Sequence, residues 1–223
     1  MTTRRPVVRR SGTLRTRRPD TLAVEEPLEI RVGGDPFTVT MRTPGHDVEL
    51  ALGFLVGEGT VRSPADVVSA RHCPDAALDA DGNPTHNVVE VVLGPTVVPP
   101  VRARHRMVTS ACGVCGTESM DEVAARCPTD LAADPVTVDG DVLAGLPDRL
   151  RTAQRVFART GGLHAAGLFS ASGELLCARE DVGRHNAVDK VVGWALHQQA
   201  LPLSGRILQV SGRASFELVQ KAW

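Results

Sequence analysis

Aromatic residues are almost missing from this chain, at 3 % of the sequence with no Tyr. Base-stacking platforms for single-stranded nucleic acid depend on such rings, so their scarcity argues against that class of function. No apolar run approaches the roughly 20 residues that cross a bilayer. The long apolar core of an export signal is also lacking at the N-terminus. Both absences point to a cytoplasmic protein without a membrane anchor. Cysteine is nearly as sparse, with five in the chain. An odd and mostly scattered set (Cys73, Cys127 and Cys177 stand apart) does not build a disulfide-stapled secreted fold, and a reducing compartment suits it better. Neither internal repeats nor low-complexity tracts occur.

What is present is ordinary in bulk. The 223 residues suffice for one large domain or two small ones with a real core. A composition 42 % hydrophobic and 23 % charged excludes a wholly disordered chain. Net charge is −1, but residues 1–18 carry seven Arg and no acid, which leaves a body of about −8. An acidic body argues against a nucleic-acid-binding domain. The basic stretch holds Pro6, Gly12 and Pro19 and shows no apolar period. Residues 1–20 are therefore expected to be a disordered tail.

Beyond it the patterns change twice. Leu28, Ile30 and Val32, then Phe37 and Val39, alternate around Gly33-Gly34-Asp35, which predicts a β-hairpin. Thr43-Pro44-Gly45-His46-Asp47 opens a helix with Leu50, Ala51, Phe54 and Leu55 on its apolar face, ending at Gly57 or Gly59. Val67-Val68 and Val88 to Leu93 predict strands, and residues 21–108 make a small β-rich N-terminal subdomain. His72 beside Cys73 has the look of a metal pair, but nothing nearby completes a site. Residues 109–127 form a cysteine loop and short helix, and 128–223 an α/β domain. There Leu146, Leu150, Ala153 and Phe157 recur at helical spacing, with Pro147 near the start and Gly161-Gly162 as the stop. Strands are expected at Leu163 to Ser170, Glu174 to Arg179 and Ile207 to Val210. A helix carries Val188, Val191, Val192, Ala195 and Leu196, and a last helix starts at Ser215.

The most chemical stretch is Ser110-Ala111-Cys112-Gly113-Val114-Cys115-Gly116-Thr117. Two thiols at this spacing can grip a soft metal, cycle between dithiol and disulfide, or present one thiolate as a nucleophile or sulfur carrier with the other as its companion. The octapeptide alone leaves redox or sulfur chemistry and metal binding equally open. Flanking glycines favour an exposed turn. Ser119 and Glu122 form a capping box for a short helix ending before Pro128, so Cys115 lies just ahead of a helix N-terminus. The positive end of that helix lowers a thiol pKa. Three further features invite attention. Glu180, Asp181, Arg184, His185, Asn186, Asp189 and Lys190 crowd between a strand end and a helix start, where open α/β sheets bind ligands. Ser211-Gly212-Arg213 repeats the strand–turn–helix geometry and suits an anion. His164 opens a strand, where a hydrogen-bonded core histidine is the plainer reading.

Six motifs in order resemble the FdhD family of formate dehydrogenase accessory sulfurtransferases. They are Arg42-Thr43-Pro44-Gly45-His46-Asp47; Ala51-Leu52-Gly53-Phe54-Leu55 with Glu58-Gly59; Cys112-Gly113-Val114-Cys115-Gly116; Thr160-Gly161-Gly162-Leu163-His164-Ala165-Ala166; the block from Glu180 to Lys190; and Ser211-Gly212-Arg213-Ala214-Ser215-Phe216-Glu217. The resemblance runs from about Leu22 to the end. It implies a cytidine-deaminase-like layered sheet with a smaller β-rich N-terminal part, and a homodimer. It implies that a cysteine desulfurase supplies sulfur as a persulfide on Cys112, with Cys115 as companion. The sulfur passes to the molybdenum bis-molybdopterin guanine dinucleotide cofactor of formate dehydrogenase, carried as cargo, with no catalytic metal. Residue chemistry adds candidate cofactor contacts at His164, Arg184, His185, Asn186, Ser211, Gly212 and Arg213, since pyrophosphates suit helix N-termini and arginines. The family continues past the final Lys221-Ala222-Trp223 with further strands and a nucleotide-binding segment, so this sequence is expected to lack the family's C-terminal end.

Rival functions make different demands. A deaminase-like zinc hydrolase needs H-x-E and Pro-Cys-x-x-Cys, whereas Cys112 follows Ala111 and His164 precedes Ala165-Ala166. A thioredoxin-like oxidoreductase needs its C-x-x-C after an early strand, not past mid-chain. A non-catalytic chaperone that merely holds the cofactor needs no thiol.

Overall fold

A computed structural model describes residues 1–73, 82, 85–98 and 130–223. The expected cysteine loop and its short helix, with Cys112 and Cys115, lie outside the described residues.

The first sheet of the body follows from alternation. β3 (Glu26–Val32) and β4 (Asp35–Arg42) pair antiparallel, with Val32 opposite Asp35. The two residues between them, Gly33 and Gly34, have φ of +62° and +90°. A two-residue turn with both φ positive matches strand twist, and glycine adopts it without a Cβ clash. β5 (Val67–His72) and β6 (Val88–Leu93) complete the sheet in the order β4-β3-β6-β5, with β3 and β6 parallel. Leu28, Ile30, Val89 and Val91 point to one core, which α1 (Asp47–Gly57) closes with Leu50, Ala51, Leu52 and Leu55.

The second half holds an antiparallel sheet in the order β8-β7-β9, from β7 (His164–Ser170), β8 (Leu175–Asp181) and β9 (Arg206–Val210). Strand alternation splits β7 between two helices. Ala166 and Leu168 face Ala187, Val188 and Val191 of α4 (Arg184–His197). Ala165 and Phe169 face Leu146 and Leu150 of α2 (Gly140–Ala153). The layers run sheet, α1, α4, sheet, α2, and α5 (Phe216–Ala222) seals the α4 side with Leu218. The mixed α/β class expected from the sequence is the observed one.

The two halves meet where α1 crosses α4, and the approach is close. A Cβ on Gly53 would overlap the Asp189 backbone carbonyl, and one on Gly193 would overlap that of Glu49. Each glycine thus accommodates the carbonyl four residues before the other. No residue with a side chain fits at either position while the helices keep this spacing.

Two expectations are corrected. Residues 1–20 are not a disordered tail: β1 (Thr2–Ser11) and β2 (Leu14–Ala23) form an antiparallel ribbon turning at Gly12, φ +60°. Its root is fastened by Val24 N donating to Met1 O at 2.9 Å and by Arg159 Nη2 donating to Thr2 Oγ1 at 3.3 Å. A ribbon exposed on both faces needs cross-strand bonds and a turn, not an apolar face, so it leaves no apolar period to read. The second correction concerns the helix expected with Pro147 near its start. It begins earlier, at Gly140, where Asp139 accepts from Asp141 N at 2.7 Å, and Pro147 lies inside it. The chain then breaks at Gln154 and restarts as α3 (Arg155–Thr160). Glu180 of β8 causes the restart: its carboxylate accepts from Val156 N at 2.9 Å and Phe157 N at 2.7 Å, a cap delivered from a distant strand.

Gly53→Ala and Gly193→Ala are each expected to destabilise the protein by about 3 kcal/mol, at the upper end of core overpacking. Because either one forces the same helix separation, the double variant should cost less than the two added together. Urea unfolding of the three variants checks this; additive effects would contradict a shared crossing.

Candidate functional site

The motif-rich turn after β8 is built on one buried carboxylate. Asp181 has no exposed surface and receives four hydrogen bonds. Oδ1 accepts from Gly183 N at 2.8 Å and Asn186 Nδ2 at 3.0 Å; Oδ2 accepts from Lys190 Nζ at 2.7 Å and Thr43 N at 3.0 Å. Lys190, equally buried, also donates to Thr43 O at 2.9 Å. Val182 N donates to Thr43 Oγ1 at 3.1 Å, and Asn186 Nδ2 to Met41 O at 2.8 Å. The turn that opens α4 is therefore stitched to the segment that leads into α1. A charge pair so enclosed is tolerable only because every remaining proton and lone pair finds a partner.

Two further pairs steady the same junction. Arg42, 1 % exposed, grips Asp47 through Nε at 3.1 Å and Nη2 at 3.2 Å, and Nη2 also reaches Asn87 Oδ1 at 2.8 Å. Arg179 on β8 donates to both oxygens of Glu49 on α1, at 2.6 and 2.8 Å, and His46 Nδ1 lies 3.3 Å from the same carboxylate. Burial pushes the Glu49 carboxyl upward, but the hydrogen bonds and charges of Arg179 and His46 outweigh it and hold the pKa at about 2. Asp189, at the helix crossing, is raised by burial to about 6 although Lys221 Nζ lies 2.7 Å from its Oδ1.

The residues predicted from sequence divide into a surface group and an internal one. His164, Gly212 and Arg184 come together: a Cβ on Gly212 would lie 3.4 Å from His164 Nδ1 and 3.5 Å from Arg184 Cδ. Ser211 joins them, its Oγ accepting from Ala165 N at 2.8 Å. His164 and Ser211 line a cavity of about 710 Å³ between α2, α3 and the ends of β7 and β9. Arg213 is exposed beside Gly212. His185 Nε2 lies 3.4 Å from Ser215 Oγ and 3.2 Å from Glu217 Oε2. Burial, together with the charges of Arg184, Lys221 and His164, lowers its pKa to about 4, so the ring is neutral at physiological pH. Asn186 turns inward, and its amide nitrogen is occupied by Asp181 and Met41. Glu180 likewise serves as the α3 cap.

Sequence reasoning passed over Gln154 and Asp148, which line the same cavity, and Thr43 as the partner of Asp181 and Lys190. A polar residue interrupting a helical apolar pattern was the one available signal for Gln154. Among the described residues, no group of three or more His, Cys, Asp or Glu could hold a metal ion. No described helix is long and apolar enough to cross a membrane.

Lys190→Met should destabilise the protein by about 3–5 kcal/mol, because it strands the buried Asp181 carboxylate. Asp181→Asn added to it should recover part of the loss in urea unfolding. Acid should act through identifiable groups. Glu49, held at about 2 against an ordinary 4.5, adds stability that is complete above pH 4.5 and is lost as pH falls toward 2. His185, lowered to about 4 from 6.5, adds stability lost between those values as pH falls. Asp189, raised to about 6 from 3.8, adds stability at low pH that is lost as pH rises through about 6. These last two oppose each other where their windows overlap. Unfolding free energy should therefore fall steeply only below about pH 4.5, and Glu49→Gln should flatten that limb. An unchanged limb in the variant would exclude Glu49 as its source.

Comparison with known proteins agrees with this arrangement. Residues 23–223 match the FdhD/NarQ family model. The chain is 56 % identical over 222 residues to the sulfur carrier protein FdhD of Nocardia farcinica, covering all of this chain and 78 % of that one. It is 55 % identical over 208 residues to the protein of that name from Mycobacterium tuberculosis, covering 92 % of this chain and 75 % of the relative. A solved structure from Desulfotalea psychrophila, described as a formate dehydrogenase accessory protein, superposes with a TM-score of 0.69 at 19 % identity, over 99 % of this chain and 79 % of that one. The last likeness concerns the fold; together with matched sequence along nearly the whole length, it makes this chain a member of the FdhD/NarQ family.

Proposed function

We propose that this protein is a sulfur carrier in formate dehydrogenase maturation. The observation that supports it most is family membership over residues 23–223, with relatives at 55–56 % identity named as sulfur carriers. In this reading the Cys112 thiolate attacks the outer sulfur of a persulfide on a cysteine desulfurase. A sulfur–sulfur bond forms on Cys112 as the donor's breaks, the desulfurase thiolate leaves, and no net oxidation occurs. Cys115 is the companion thiol. The sulfur is then delivered to the bis-molybdopterin guanine dinucleotide cofactor before its insertion into formate dehydrogenase. The carrier works as a dimer in the cytoplasm.

The turn cluster suits the cargo. The N-terminus of α4 offers free backbone N–H groups and the positive end of a helix of 14 residues. Arg184 lies in its first turn, with Arg213 exposed on the neighbouring turn and Gly212 keeping the floor between them open. Pyrophosphate is the group such a cradle favours. His164 and Ser211 extend the cradle into the adjoining cavity. The inward-facing Asn186 and the neutral His185 shape the turn from beneath.

After incubation with a cysteine desulfurase and cysteine, mass spectrometry should find one added sulfur on the Cys112 peptide. Cys112→Ala should abolish both that adduct and formate dehydrogenase activation. A chaperone that only held the cofactor would keep activation in the variant, and that result would replace the present reading. Separately, Arg184→Ala with Arg213→Ala should weaken GDP binding by about tenfold or more, in line with two lost charge-assisted contacts. Unchanged affinity would remove these arginines from the cradle.

A further inference from the structure

Gln154 stands out among the buried polar residues. It occupies the break between α2 and α3, is 4 % exposed, and lines both the cavity of about 710 Å³ and a neighbouring one of about 310 Å³. Its amide makes no hydrogen bond to any described residue. Native interiors rarely leave such a group unpaired. The amide is not sealed off, either, unlike the unpartnered and fully enclosed Gln220 Nε2. It remains open to the cavity space.

We propose that Gln154 reads the amide edge of a planar amino-oxo heterocycle bound in the larger cavity. A carboxamide sets a C=O acceptor beside an N–H donor. Its complement is a ring in which N–H and C=O are adjacent, a lactam. Asp148 lines the same cavity, and its carboxylate can accept from an amino group on that ring. Leu150, Leu163 and Phe157 supply apolar wall, and the far face of the Phe157 ring is covered by the Arg151 guanidinium at 4.3 Å. Sites for molecules of this kind enclose roughly 300–1,000 Å³ and set a few polar groups in an apolar lining, which this cavity matches. A lactam flanked by an amino group is the 2-amino-4-oxopyrimidine edge, shared by guanine and pterin.

The assignment rests on the cargo reading above, in which both rings belong to one molecule. His164 and Ser211 join the cavity to the arginine cradle, so a ring at Gln154 and a phosphate at Arg184 can belong to a single ligand. The nature of Gln154 also excludes a simpler role. It caps neither helix with its side chain, and an apolar residue would fill its place at lower cost if packing were the only demand.

Calorimetric titration of the full chain with GDP, IDP, ADP and neopterin tests this. GDP or neopterin should bind at least tenfold more tightly than ADP. Gln154→Leu should lower that affinity at least tenfold while leaving the melting temperature in place. If that variant melts early, Gln154→Glu, which keeps the acceptor and loses the donor, should show the same loss. IDP lacks the 2-amino group, so Asp148→Asn should erase a preference for GDP over IDP. Binding of neopterin alone assigns the cavity to the pterin, and of GDP alone to the guanine. Equal affinity for ADP, no binding of any probe, or full affinity in both Gln154 variants would overturn the proposal. Sulfur loading of Cys112 should be normal in Gln154→Leu. If wild-type protein never loads sulfur yet binds GDP through Gln154, the carrier reading falls and the cavity assignment stands.

Discussion

The molecule is organised by the distance between two helix axes. α1 belongs to the first sheet and α4 to the second, and the only way to bring both apolar faces together is to let the backbones touch. Gly53 and Gly193 permit that by leaving room for the Asp189 and Glu49 carbonyls. Dispersion and apolar burial fall off steeply with separation, so a fraction of an ångström here decides how well both cores close. Leu196 of α4 lies within the first core, and Val56 of α1 packs against the second, which shows how fully the two are merged at the crossing.

Polar chemistry finishes what the crossing begins. Asp181, Lys190 and Thr43 join the two halves on one side of the helix pair, and Glu49 with Arg179 does so on another. Lys221 of α5 reaches Asp189 and lies 5.5 Å over the Phe54 ring, adding a link from the last helix. Many of these residues lie in the motifs that first suggested a binding site. Much of the dense polar block from Glu180 to Lys190 proves to be internal framework. The ligand-facing remainder is the small group of His164, Arg184, Ser211, Gly212 and Arg213.

How much of this could be read in advance follows from the range of each signal. Strands β3, β4 and β6 and helix α4 were legible because alternation and helical spacing are local. The Gly33-Gly34 turn was legible for the same reason. The α2–α3 break was not, since the cap that starts α3 comes from Glu180 in another strand. The N-terminal ribbon was misread because its pairing buries little and so writes no apolar period. At the site, types of residue were legible but not their facing. Asn186 and Arg184 are two apart on one helix, and only the packing decides that the first turns in. Gln154 was hidden because an unmet hydrogen-bonding need exists only once its surroundings are folded.

β8 carries one further implication. Glu180 and Asp181 are neighbours on an extended strand, so their carboxylates leave on opposite sides. One anchors the start of α3, a wall of the larger cavity; the other anchors the chain entering α1, in the opposite half of the molecule. The strand between them is stiff and short. It behaves as a rocker arm: a tilt imposed at the α3 end by an occupant of the cavity arrives at Thr43 with its direction reversed.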